Sequence, residues 1–276
     1  MLGGITRIIA SSGPVVHTSP DPLFKLGSLT ITNSIFYGWI CAVIIMIVMI
    51  TVALKVKVRP RGGLIQYVEA AAVFITGVVT SSFQDKQRAK KYIPYFVTLF
   101  FFILINNWMG LIPGVGNSIV YNGQPLFRPF TGDLNATFGA GVVTMIYVYV
   151  NSIREVGAKQ YFRHFFVGNP LNPLYMFIGA LELLLDLTRV ISLSIRLFLN
   201  VTIGEIVIVV FAYLGGVVAP ITAAPFYAIE IFVGALQAYI FVVLSCNYLA
   251  ISVNSSTEHE DLTEDIVPET MSLQTE

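Results

Sequence analysis

The chain has 276 residues, 55% hydrophobic and only 12% charged, with 16 basic and 16 acidic residues and a formal net charge of zero. Soluble domains carry about 25% charged residues, so this composition excludes an ordinary soluble domain. The class expected is an all-α polytopic membrane protein, with no nucleic-acid partner.

Residues 1–30 hold no apolar core followed by a small-residue cleavage site, and read as a tail external to the membrane. Ile35–Leu54 is an uncharged apolar run, long enough to cross a hydrocarbon core of ~30 Å. Leu64–Phe83 is apolar too, but its flanks argue against a crossing. Lys55, Lys57, Arg59 and Arg61 precede it, and Lys86, Arg88, Lys90 and Lys91 follow it. Basic flanks favour the cytoplasmic side, so both ends belong there and the segment is expected to be an interfacial amphipathic helix carrying Gln66 and Glu69.

Tyr92–Ile112 and Leu134–Ile153 read as the second and third crossings. The loop after the third adds Arg154, Lys159 and Arg163, which brings 11 of the 16 Lys and Arg to the cytoplasmic side. Leu171–Leu214 is apolar but carries Glu182, Asp186, Arg189, Arg196 and Glu205. As a helix it would be about 66 Å long, roughly twice the bilayer core. It must break, with Gly179 and Gly204 as break points, or cross at a steep slant. Asn172-Pro173 supplies an N-terminal cap and Gly215-Gly216 a stop. Pro220–Val253 is the fifth crossing, with Glu230 its one charge. The membrane domain is thus 31–254, with an external N-terminus and an acidic cytoplasmic tail at 255–276. Cys41 and Cys246 lie in apolar runs and read as packed thiols. His17, His164 and His259 fall in tails or loops, and no metal or cofactor signature is present.

Arg196 carries the functional weight. A cation in a lipid-embedded helix costs about 2.5–3.5 kcal/mol on insertion scales, and arginine does not escape that cost by deprotonating. At 100° per residue, Arg189 lies about 20° from Arg196, Glu182 and Asn200 about 40°, Ser192 about −40° and Asp186 about 80°. These polar groups share a face, whereas Glu205 lies about 180° away. Glu230 and Gln237, seven residues apart, share a face of the last helix. Polar groups in membrane bundles also serve as interhelical glue, a reading that suits Ser192, Asn200 and Gln237 better than Arg196, Glu205 and Glu230. Carboxylates relay protons, and a fixed cation beside such a relay blocks direct passage. A self-contained ion-coupled transporter is the alternative. It requires an internal repeat, and no motif of 30–150 recurs in 170–253.

At these residues the chain resembles subunit a of the F-type ATP synthases, over roughly residues 30–253. Arg196-Leu197-Phe198-Leu199-Asn200 followed by Glu205, and Gln237-Ala238-Tyr239-Ile240-Phe241 preceded by Glu230, match two family motifs. Asn107-Trp108-Met109-Gly110-Leu111-Ile112-Pro113 and Thr131-Gly132-Asp133-Leu134-Asn135 match two more. The resemblance implies five crossings, one amphipathic cytoplasmic helix, and two long slanted helices against a ring of c subunits. It implies a stator arginine at Arg196 and a proton half-channel at Glu205 and Glu230, supported by Asn200, Gln237, Ser192 and Glu182. Arg189 stands where the family often has a basic residue. It also implies b-type peripheral-stalk subunits and, indirectly, the F1 sector as partners, a bacterial inner membrane as location, and no catalytic residue, metal or cofactor in this subunit. Leu199 stands where many members have Gly or Ala, and the Glu205/Glu230 combination where many pair Glu with His.

Overall fold

In the computed structural model the described residues are 22–26, 29–55, 63–112, 115–121, 124–157 and 173–272. The basic segments 56–62 and 158–172 lie outside them, as do His17, His164 and Pro113. Among the described residues six long helices dominate: α1 (Asn33–Lys55), α2 (Leu64–Ser82), α3 (Lys86–Gly110), α4 (Leu134–Val156), α5 (Pro173–Gly215) and α6 (Ala219–Ser272). Among the described residues two antiparallel hairpins accompany them: β1 (Pro22–Leu26) with β2 (Leu29–Thr32) before α1, and β3 (Gly116–Tyr121) with β4 (Gln124–Phe127) between α3 and α4.

The spans Asn33–Leu54, Ile65–Ser82, Lys86–Gly110 and Leu134–Val156 are each long and apolar enough to cross a membrane, as is Leu184–Asn254, which holds most of α5 and much of α6. The protein is an all-α multi-pass membrane protein. The segment expected at the interface, α2, is itself long and apolar enough to cross, with a mean hydropathy of 1.2 against 2.6 for α1.

Two expectations about the long helices are settled. α5 runs 43 residues without a break at Gly179 or Gly204. α6 continues well past Val253 to Ser272, because Glu and Asp end an apolar run without ending a helix.

The chain divides into two compact units. The first comprises Met1–Val48, Phe102–Thr137 and Ser194–Ala238. In it Tyr37 donates to the Met109 carbonyl at 2.8 Å, and Cys41 is a fully buried free thiol. Asp133 caps α4, accepting from the Asn135 N–H at 3.0 Å through Oδ1 and from Ser34 Oγ at 2.5 Å through Oδ2. Such a cap stabilises a helix by about 1 kcal/mol. α5 turns into α6 through a single 3-10 turn, Gly216–Val218, with Gly216 at φ 50°. The Thr222 hydroxyl lies 3.0 Å from the Phe211 carbonyl, and Phe211 stacks on Phe226 at 3.8 Å.

The second unit comprises Met49–Phe101, Phe138–Leu193 and Tyr239–Glu276. Here Glu155 on α4 accepts from Lys91 Nζ at 2.5 Å and from the buried Tyr92 hydroxyl at 2.7 Å on α3. Tyr95 stacks on Tyr147 at 3.5 Å. Asn254 on α6 ties the turn between α2 and α3, donating to the Ser82 carbonyl at 3.2 Å and accepting from the Gln84 N–H at 3.1 Å. Cys246 is a fully buried free thiol.

Candidate functional site

Five of the eight residues singled out by sequence lie in the first unit: Arg196, Asn200 and Glu205 on α5, and Glu230 and Gln237 on α6. Arg196 is exposed, beside the exposed apolar side chains of Ile195, Leu199 and Ile203. Arg196 is thus a charged side chain on an otherwise apolar exposed stretch of α5. Glu205 and Glu230 are half-buried, and Gln237 is buried.

The approach of α6 to α5 depends on Gly204. A Cβ on that residue would overlap the Glu230 carboxylate. The missing side chain lets Glu230 lie against the α5 backbone one residue before Glu205. The glycine that reads as a break point in sequence thus makes room for a carboxylate inside an unbroken helix.

α3 fixes α6 on either side of that contact. Asn107 donates through Nδ2 to the Gly234 carbonyl at 3.1 Å, and Trp108 donates through Nε1 to the Ile231 carbonyl at 3.0 Å. Both acceptors fall between Glu230 and Gln237, so the Asn107-Trp108 pair holds this stretch of α6 against α3. A Cβ on Gly234 would sit 3.4 Å from Asn107 Cβ, an ordinary van der Waals contact.

Polar atoms of this unit buried with no hydrogen-bond partner among the described residues are Asn106 Oδ1, Asn107 Oδ1, Thr131 Oγ1, Asn200 Nδ2, Thr202 Oγ1 and Gln237 Nε2. Buried polar atoms in proteins are almost always paired with protein or with ordered water. Orphans on α3, α5 and α6 suit a path that water occupies.

The model of the ATP synthase A chain family matches residues 35–250. The chain belongs to that family. It is 30% identical to the ATP synthase subunit a of Moorella thermoacetica over 237 residues, which cover 86% of this chain and 97% of the relative. With the subunit a of Campylobacter hominis the identity is 32%, over 82% of this chain and 91% of the relative. With that of an Anaeromyxobacter strain it is 30%, over 91% of this chain and 59% of the relative.

The three remaining candidates lie on α5 in the second unit. Ser192 is exposed. Glu182 lies within α5, and its side chain is outside the described residues. Arg189 pairs through Nη1 with Asp186 Oδ1 at 2.7 Å, and its guanidinium lies 4.7 Å from the centre of the Tyr248 ring.

One residue of the site was not legible beforehand. Arg128 reads in sequence, with Arg7 and Lys25, as a charge on the external side, yet it is only 7% exposed. Its Nη2 donates to the Gly132 carbonyl at 3.0 Å. Gly132 in turn approaches Val201, one helical turn before Glu205, since a Cβ on it would lie 3.9 Å from Val201 Cγ1. A basic residue four positions before the Gly132-Asp133 turn was the available signal, but a lone arginine in a loop is ordinarily solvated.

Proposed function

We propose that this chain is the proton-conducting stator of an F-type ATP synthase in a bacterial inner membrane, itself without catalytic residues. Arg196 is the fixed cation that meets each carboxylate of a rotating c-subunit ring. Glu205 and Glu230 line one aqueous half-channel, with Asn200 and Gln237 beside it. Ser192, Glu182 and Arg189 support the polar face of α5. b-type stalk subunits hold the chain against rotation and connect it to the F1 sector. The N-terminus is external and the C-terminus cytoplasmic.

The observation that carries this reading is the packing of the Glu230 carboxylate against Gly204, next to Glu205. Two acidic side chains from two helices are thereby brought to one level of an apolar bundle. Carboxylates at such positions face protein interior or water-filled cavities, and they relay protons. The orphaned polar atoms of Asn200 and Gln237 on the same two helices fit a water-filled path. Arg196, exposed among apolar side chains, suits a carboxylate brought to it by another subunit.

Proton flux measured against pH tests the half-channel. Glu205→Gln and Glu230→Gln should each slow ATP-driven proton pumping by the assembled complex and alter its pH dependence. The double variant should be little slower than the worse single, because residues acting on one path are not additive. Two singles with wild-type flux and pH profile would reduce the pair to packing.

A further inference from the structure

Two arginines lie along 173–215, Arg189 and Arg196, and the structure treats them differently. Arg196 is exposed, and no ion pair of it occurs among the described residues. Arg189 is held from two sides. Asp186, one turn earlier on α5, accepts from its Nη1 at 2.7 Å, and the face of Tyr248 on α6 lies 4.7 Å from its guanidinium. The Asp186 side chain is only 14% exposed and that of Arg189 38%. The two opposite charges are 2.7 Å apart, so their fields largely cancel at distances beyond that separation and the pair's net field is weak. The Tyr248 ring supplies the remaining contact, an aromatic face against a planar cation.

Seven residues separate the two arginines, which in a regular helix is about two turns and a rotation of about 20°. A bare cation at 189 would therefore add its field to that of Arg196 for any carboxylate passing along this face. Such a carboxylate has to be released as well as attracted, and a second positive centre holds it longer.

We propose that Asp186 is a charge-masking, positioning residue: by pairing with Arg189 it leaves Arg196 as the single net cation facing the rotor, while Arg189 serves to fasten α5 to α6 at Tyr248. This rests on the stator reading of Arg196. Asp186 touches no reacting group in this account; it acts through Arg189.

The test uses the complete ATP synthase reconstituted in proteoliposomes, with ATP-driven proton pumping as the readout and assembly checked in each variant. Asp186→Asn should slow pumping by roughly tenfold, equivalent to ~1.4 kcal/mol of extra hold on the carboxylate. Arg189→Gln should slow it much less. The double variant Asp186→Asn/Arg189→Gln should recover to the Arg189→Gln rate, a rescue that a packing or proton-relay role for Asp186 would not give. A double variant as slow as Asp186→Asn overturns the inference, and so does wild-type pumping by Asp186→Asn. A second pair keeps both charges while changing both side chains: Asp186→Glu with Arg189→Lys should pump within about twofold of wild type, and a tenfold loss there contradicts a role through net charge. Arg196→Ala belongs in the same series. If it pumps normally, the stator reading falls and takes this inference with it. If it is inactive while Asp186→Asn pumps at the wild-type rate, only the masking role falls.

Discussion

Gly204 shows how much one absent methyl group decides. Alanine is a better helix former than glycine by about 1 kcal/mol, so Gly204→Ala should favour an isolated α5. In the folded protein the new Cβ would meet the Glu230 carboxylate, and either α6 or the carboxylate must give way. The expected outcome is an assembled complex with strongly reduced proton pumping, measured against wild type at equal complex content. Wild-type pumping would mean that the position of Glu230 is unimportant. Arg196, Glu205 and Glu230 were readable because a charge inside an apolar run stands out against its neighbours. Arg128 was not, because a charge in a loop looks ordinary until the fold buries it.

At the scale of elements, the hydropathy of the chain located α5 closely: a run expected over 171–214 is a helix over Pro173–Gly215. Its continuity was not readable, since a glycine in a helical pattern signals a break, a packing contact or nothing. The short strands escaped for another reason. Hairpins of four to six residues a strand leave no trace in a reading based on apolar run length, although Asn122-Gly123 between β3 and β4 is a dipeptide that favours tight hairpin turns. The start of α4 is fixed by Asp133, through the Asn135 N–H and Ser34. Asp133→Ala removes both bonds and leaves the Ser34 hydroxyl without its acceptor. A loss of roughly 1–3 kcal/mol of stability is expected, read as a lower midpoint of thermal unfolding in detergent. Asp133→Asn, which keeps an acceptor for the cap, should lose less. An unchanged midpoint in Asp133→Ala would show that the cap is dispensable.

At the scale of the whole molecule, the charges order the chain across the membrane. By the positive-inside rule both basic flanks of α2 and the loop after α4 are expected on the cytoplasmic side. With Cys41 and Cys246 replaced, single cysteines at positions 57 and 159 should react with membrane-impermeant reagents only from the cytoplasmic face. A cysteine in the N-terminal tail should react only from outside. External labelling at either basic loop would overturn the arrangement of five crossings with one interfacial helix. Family membership and the multi-pass class follow from the match over residues 35–250 and from the apolar helices. The conduction of protons past a fixed arginine is the central claim built on them. Its most direct measurement is ATP synthesis driven by an imposed proton-motive force in the purified Arg196→Ala complex, with assembly verified. The account predicts that synthesis is abolished, and that Arg196→Lys restores little, because a lysine sheds its proton where an arginine does not. Near-normal synthesis by the assembled Arg196→Ala complex would contradict it.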